Sequence, residues 1–380
     1  MNNRLAFLNP VASTRVILVR HGRSTYNEQG RYQGSSDEAL LTPKGRQDAF
    51  QTGLALGDLS DAALYTSPLR RAQQTTQEIL AALQSDLPCP IPVCPHPDLK
   101  EIDLPQWAGR PYTEVRETLA DQYRCWIEHP HEFEMERRHP VRDLYAQAQR
   151  FWQEVLPRHR GKTLVVVSHG GTIRALLSTA LGIDCRYFHS LQQSNGGISQ
   201  LSFQSGRANL EIMNDTRHLG ETLPKLKAGK QGVRLLLVPD DSPNLQALQA
   251  QLDGMEIGFS VSNGEPAHGI AQRLLTRHPL TVQLQSDRTD LSHLWLRILN
   301  SRQHSSQRDD GIVTGLVIAQ PTVVQDMLNH VIGGQPGMLA LTAGGINVVH
   351  YAQTQTLPIL QALNFAKSAD SRGGLIPCAS

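Results

Sequence analysis

The sequence predicts an α/β fold: a three-layer α/β/α sandwich on a mainly parallel sheet, followed by a second, smaller α/β domain of related topology. Three observations predict it. Short apolar runs have the length and branching of buried strands: VILV at Val16–Val19, TLVVV at Thr163–Val167 and LLLV at Leu235–Val238. Capped, helix-periodic segments alternate with them, the pattern of helices packed on a parallel sheet. The second half of the chain also repeats the first in outline.

The elements follow in order. Thr42-Pro43 is a cap residue followed by proline, and Gly57 stands near the helix end. Ser67-Pro68 repeats that start, with Ala72, Thr75, Ile79, Leu80 and Leu83 at helical spacing. Thr172 opens a third helix that stops at Gly182. Residues 205–231 are polar and rich in turn residues, which predicts a linker with a short strand at Leu210–Met213. LVRHGRS at Leu18–Ser24 is echoed by LVPDDSP at Leu237–Pro243. Thr163–Gly182 is echoed by Thr314–Gly334 with one gap, and Ser194–Phe203 by Thr342–Tyr351. Three matches in the same order predict a duplicated unit. The expected division is 14–204, a linker 205–231, a second domain 232–366 and a tail 367–380.

Composition excludes several classes. The 36 basic and 35 acidic residues leave a net charge of +1, so no basic stripe marks a nucleic-acid or membrane-surface binder. No apolar run reaches the roughly 18–20 residues of a membrane helix. The opening MNNRLAFLNPVASTR lacks the pattern of a signal peptide. The five cysteines, Cys89, Cys94, Cys125, Cys185 and Cys378, are scattered and without a C-x-x-C pair, so neither a disulfide framework nor a zinc site is expected. The expectation is a soluble cytoplasmic protein with no membrane or nucleic-acid partner. A homodimer stays open.

The chemistry is expected at the C-terminal ends of parallel strands, where α/β sheets place their ligands. The first strand ends in Arg20, His21 and Gly22, and Thr163–Val167 ends in Ser168, His169, Gly170 and Gly171. Two His-Gly pairs in matched contexts can face one pocket. A neutral imidazole, a guanidinium and a glycine that leaves room for close approach suit attack on a phosphoryl group. Gly161-Lys162-Thr163 is not a phosphate-binding loop, because Leu156 stands where its first glycine belongs and a strand follows.

VILVRHGRSTYN resembles the signature of the histidine phosphatase superfamily, which includes the cofactor-dependent phosphoglycerate mutases. Five further blocks agree: GRYQG at Gly30–Gly34, LTPKGRQDA at Leu41–Ala49, SPLRRAQQT at Ser67–Thr75, LKEIDLPQWAG at Leu99–Gly109 and VVVSHGGTIRALL at Val165–Leu177. The resemblance covers residues 14–204. It implies that His21 is the nucleophile that becomes phosphorylated. It also implies that Arg20 and Arg71 hold the phosphoryl oxygens, that His169 completes the pocket and that Glu101 gives a proton to the leaving oxygen. Asn27 matches a phosphate-contacting position, and Gly22 and Gly170 belong to the same substrate-binding set. The motif favours Arg71 over its neighbour Arg70. Arg23 departs from the pattern, standing where many members carry an acidic residue or glutamine. No metal and no cofactor are implied, because cationic side chains take a metal's place.

The charged stretch Asp121–Asp143 is expected to face the substrate, with Arg137 or Arg138 reaching over the pocket to a second anionic group. In the second half Pro239, Asp240 and Asp241 replace Arg20, His21 and Gly22, and Gln320 and Pro321 replace His169 and Gly170. That half therefore reads as a degenerate phosphatase-like copy. The expected activity is metal-independent hydrolysis of a small phosphorylated metabolite (a sugar phosphate, phosphoserine or a phospho-carboxylate) through a phosphohistidine. The segment between Glu101 and His169 is shorter than the mutase branch usually carries, which favours the hydrolase. A phosphoglycerate mutase and a regulatory phosphate-binding protein remain as alternatives.

Overall fold

The computed structural model describes residues 13–59, 62–83, 91–227, 229–287, 295 and 311–365. The expected tail, the extreme N-terminus, Cys89 and Cys378 lie outside the described residues.

Among the described residues, twelve strands form one continuous sheet in the order β3-β2-β4-β1-β5-β6-β12-β11-β7-β10-β8-β9. In the first half these are β1 (Thr14–Arg20), β2 (Ala62–Thr66), β3 (Val93–Pro95), β4 (Thr163–Ser168), β5 (Ile198–Gln204) and β6 (Arg207–Asp215). In the second they are β7 (Gly232–Pro239), β8 (Phe259–Asn263), β9 (Val282–Ser286), β10 (Ile312–Ala319), β11 (Ile346–Ala352) and β12 (Ile359–Phe365). The helices whose bounds lie among the described residues are α1 (Thr25–Gln29), α2 (Pro43–Leu56), α3 (Arg70–Leu83), α4 (Tyr112–Thr118), α5 (Ala120–Glu128), α6 (Pro140–Val155), α7 (Gly170–Leu181), α8 (Leu245–Leu252), α9 (Glu265–Leu274) and α10 (Pro321–Ile332).

Alternation along β1 builds the layers. Val16 and Leu18 pack with Val141, Leu144 and Phe151 of α6 and Ile173 and Leu176 of α7. Ile17 and Val19 point to the opposite face, against Leu56 of α2 and Ala72, Ile79 and Leu83 of α3. All four β1 residues are fully buried, each stabilising the fold by about 1.5–3 kcal/mol. The sheet is thus sandwiched by helices, as the sequence predicts.

Helix starts shift where another partner takes the cap. α2 begins at Pro43 as expected, its Thr42 hydroxyl accepting from Gly45 N at 3.0 Å. α3 begins at Arg70 rather than Pro68, because Asp37 Oδ1 caps it by accepting from Arg70 N. α7 begins at Gly170 and ends on Gly182 in the left-handed conformation.

The expected linker needs correction. Residues 207–215 form a nine-residue strand, longer than the expected Leu210–Met213, that pairs with β5 and meets β12 at Met213 and Leu363. The polar residues that suggested a connector are used inside the sheet. Asn214 is fully buried, its Oδ1 accepting from Ser194 N at 2.6 Å and its Nδ2 donating to Gln361 O at 2.7 Å.

The second half repeats the strand order and strand senses of the first about the central β6/β12 pair. β7 is parallel to β10 as β1 is to β4, and antiparallel to β11 as β1 is to β5. Local details repeat too. Asn364 Oδ1 accepts from Thr342 N, and Asn364 Nδ2 donates across to Glu211 O, the counterparts of the Asn214 bonds. Both asparagines have a positive φ, 56° and 54°.

Candidate active site

Parallel pairing of β1 with β4 places Arg20 opposite Ser168, so His21 and His169 leave adjacent strands at the same end. Their rings stand 5.2 Å apart, tilted by 59°. Both side chains are buried. His21 Nδ1 lies 2.7 Å from Gly22 O. A carbonyl only accepts, so Nδ1 carries the proton and Nε2 keeps its lone pair. His169 Nε2 bonds Ser67 Oγ at 2.7 Å, and its Nδ1 is buried without a partner.

Two arginines flank the imidazoles. Arg71 is fully buried; its Nη1 donates to Ser36 O at 2.7 Å and its Nη2 to Gly34 O at 2.8 Å. Burial lowers its pKa to about 10, which leaves it charged at neutral pH. Arg20 Nη1 donates to Gln193 O at 2.8 Å. The Nε atoms of both arginines are buried and unpartnered. Arg70 instead lies on the surface beside Asp37, at 3.5 Å.

Burial, then the charges of Arg71 and Arg20, hold the His21 pKa well below its usual value. His169 is lowered by burial, Arg71, His21 and Arg20. Both rings are therefore neutral in the folded protein at pH 6.5, whereas in the unfolded chain they half-protonate there. Below pH 6.5 the unfolded state binds more protons, so stability falls with pH by up to about 1.4 kcal/mol per unit for each ring. Urea unfolding at pH 7.5 and 5.5 checks this. The wild-type midpoint falls, and His21→Asn falls less steeply; equal slopes would assign the titration to other groups.

Glu101 sits at the start of α7, which has no side-chain cap of its own. Its Oε2 accepts from Gly171 N at 3.0 Å, and its Oε1 accepts from Thr172 N at 3.0 Å and Ile102 N at 2.9 Å. A Cβ on Gly171 would lie 2.5 Å from Glu101 Oε1, so only glycine leaves the carboxylate in place. Gly22 is equally constrained: a Cβ there would meet Gly45 O at 2.3 Å. At Gly170 a Cβ would stand 3.2 Å from Arg20 Nε. Asn27 caps α1 in a box with Ser24, and its Oδ1 accepts from Asn195 Nδ2 at 2.9 Å.

The structure thus brings together His21, His169, Arg20, Arg71, Glu101, Asn27, Gly22 and Gly170. Arg138 shares a cavity with Glu101, lined also by Asp103 and Asp143, whereas Arg137 is not among its lining residues. Arg138 is held by Asp143 at 3.0 Å and Asp103 at 3.6 Å, so its charge is already matched. Arg137 is exposed with a φ of 63° in the turn closed by Met135 and Arg138. Arg23 is exposed beside Glu28, at 3.5 Å. Among the described residues no three His, Cys, Asp or Glu side chains gather as a metal set.

Several residues escaped sequence reasoning. Ser67 reads as a helix start but orients His169. Asn195, in the SNGG turn, donates to His21 O at 3.1 Å as well as to Asn27. Tyr112 lies within the electrostatic reach of Arg20, Asn27 and Glu101, and burial raises its pKa.

Comparison with known proteins places this arrangement. Residues 16–216 match the model of the histidine phosphatase superfamily, branch 1. Over 189 residues the chain is 40% identical to the probable 2-carboxy-D-arabinitol-1-phosphatase of Arabidopsis thaliana, covering 50% of this chain and 38% of that one. Over 197 residues it is 41% identical to the 2-carboxy-D-arabinitol-1-phosphatase of Triticum aestivum, covering 52% and 38%. Over 207 residues it is 33% identical to phosphoserine phosphatase 1 of Hydrogenobacter thermophilus, covering 54% of this chain and 95% of that one. The match therefore spans well under half the length of the two plant relatives. With more than half of its residues inside the matched model and the two strand-end histidines in one pocket, the chain belongs to the histidine phosphatase superfamily.

Proposed function

We propose that this chain is a phosphomonoesterase that hydrolyses a small phosphorylated metabolite through a phosphohistidine at His21 Nε2. One observation carries the reading. Arg20 Nε, Arg71 Nε and His169 Nδ1 are buried without partners around a histidine whose free nitrogen is Nε2. Unpaired buried polar atoms are costly, and phosphoryl oxygens satisfy donors of this kind. The cationic pocket matches the charge that spreads over those oxygens in transfer.

In the first step Nε2 attacks phosphorus, the P–O ester bond breaks and Glu101 gives its proton to the leaving oxygen. In the second, water attacks the phosphohistidine, Glu101 takes the water's proton and the P–N bond breaks. Glu101 Oε2 suits this exchange, since its one hydrogen bond to a main-chain amide leaves room for a proton. The relatives' names point to a phosphorylated sugar acid or phosphoserine as the substrate class.

We also infer that residues 232–366 are a degenerate copy of the first unit. Asp240 N donates to Ala319 O at 2.9 Å, as His21 N donates to Ser168 O. Gln320 precedes α10 as His169 precedes α7. An acidic Asp240 in the place of the nucleophile repels a phosphate, so this half carries no phosphatase activity.

A panel of phosphorylated metabolites assayed in EDTA tests the function. Inorganic phosphate is released without added metal and faster than any isomerisation. Loss in EDTA with rescue by magnesium would contradict the mechanism. Isomerisation of 3-phosphoglycerate, stimulated by 2,3-bisphosphoglycerate and outpacing release, would instead make the chain a mutase.

A further inference from the structure

Beyond the matched region, the segment that leads into β7 returns to the site. Lys227 Nζ donates to Gln193 O, the same carbonyl oxygen that accepts from Arg20. Two cations thus converge on one acceptor. Arg174, on α7, adds a third: its Nε donates to Leu191 O at 2.7 Å, and its guanidinium lies over the Phe188 ring. With Arg71 these make four cations. None of them forms an ion pair with a carboxylate among the described residues, and Glu101 is engaged by the main chain of α7. The side chain of Gln193 is buried, and both its amide atoms lack partners. Lys227 itself is exposed.

The segment is anchored rather than loose. Gln192 Nε2 donates to Lys225 O at 2.9 Å, and Arg234 Nη2 donates to Pro224 O at 2.8 Å. Gln361 ties the two together, donating to Gln192 Oε1 at 3.0 Å and accepting from Arg234 Nε at 3.0 Å. Arg234 and Gln361 belong to β7 and β12, so the second half holds Lys227 in the first half's site.

One phosphoryl group accounts for Arg20, Arg71 and His169. Arg174 and Lys227 remain. An anion bound between them would match both charges and could use the amide of Gln193. We propose that Lys227, with Arg174 and Gln193, forms a second anion subsite beside the phosphate pocket, selecting phosphomonoesters that carry a carboxylate. This rests on the phosphatase reading and specifies its substrate class.

The test compares two substrates that differ in one group, 3-phosphoglycerate and glycerol 3-phosphate, on the full chain. The wild type favours the carboxylate-bearing substrate by at least about tenfold in kcat/KM. Lys227→Met reduces that preference at least about tenfold, and Lys227→Arg restores most of it. A change that merely disturbs folding or phosphate binding moves both substrates together and leaves the ratio unchanged. An unchanged ratio in Lys227→Met, or no preference in the wild type, would overturn the subsite alone. Failure of the wild type to release phosphate from these substrates and from p-nitrophenyl phosphate would overturn the phosphatase reading itself.

Discussion

His21→Ala abolishes turnover, lowering kcat by at least about four orders of magnitude, while the protein stays folded. The size of the loss follows from the position of the ring. Its Nδ1 proton is committed to Gly22 O, so Nε2 is the one lone pair of that side chain able to meet phosphorus. Water in its place lacks both the pre-set alignment and the nucleophilicity of the imidazole, and the reaction loses the intermediate that divides it into two easier steps. Folding survives because the neutral ring bonds only its neighbour's carbonyl, Gly22 O, which keeps Asn195 Nδ2 as a donor at 3.3 Å. Steady-state phosphate release, with circular dichroism as the folding control, reads the outcome. Release near the wild-type rate would remove His21 from the mechanism.

Arg71→Lys is the second large loss, about 10²–10³-fold in kcat/KM. The guanidinium does two things that one ammonium cannot do together. Nη1 and Nη2 hold Ser36 O and Gly34 O, and Nε is left for an oxygen of the transferring group. Lysine keeps the charge but has no planar fork, so it either holds the loop or reaches the phosphoryl group. The change therefore separates geometry from charge. Kinetics on any hydrolysed monoester, with inorganic phosphate or vanadate as a competitive probe, measure it. Activity within a fewfold of the wild type would show that charge alone suffices there.

Much of this site was legible in the sequence because its residues sit where local pattern already speaks. His21 and His169 end two apolar β-branched runs, and parallel pairing then makes them neighbours. Arg71 and Glu101 were legible only through their blocks, since neither an arginine on a helix nor a loop glutamate announces burial. The rest depended on partners far away in the chain. Ser67 is 102 positions from the histidine that it bonds. Lys227 reaches Gln193 from a stretch whose polarity reads as a connector. Residues 207–215 read the same way, because their polar side chains find partners across the sheet that no local window contains. Arg138 lines a cavity with Glu101, but its place in a charged loop gives no sign that Asp103 and Asp143 pair with it there. The motif echoes at Leu237–Pro243, Thr314–Gly334 and Thr342–Tyr351 overlap β7, β10 to α10 and β11, which hold the places in the sheet order that β1, β4 to α7 and β5 hold in the first half.

The central claim is covalent transfer to one nitrogen of one residue, and a rapid-quench experiment tests it most directly. Enzyme mixed with a hydrolysed phosphomonoester is denatured in base within a turnover and digested, and the phosphopeptides are sequenced by mass spectrometry. The account predicts a base-stable, acid-labile phosphate on His21, attached at Nε2, with His169 unmodified. Phosphate on another residue, or phosphate on Nδ1 of His21, would contradict it.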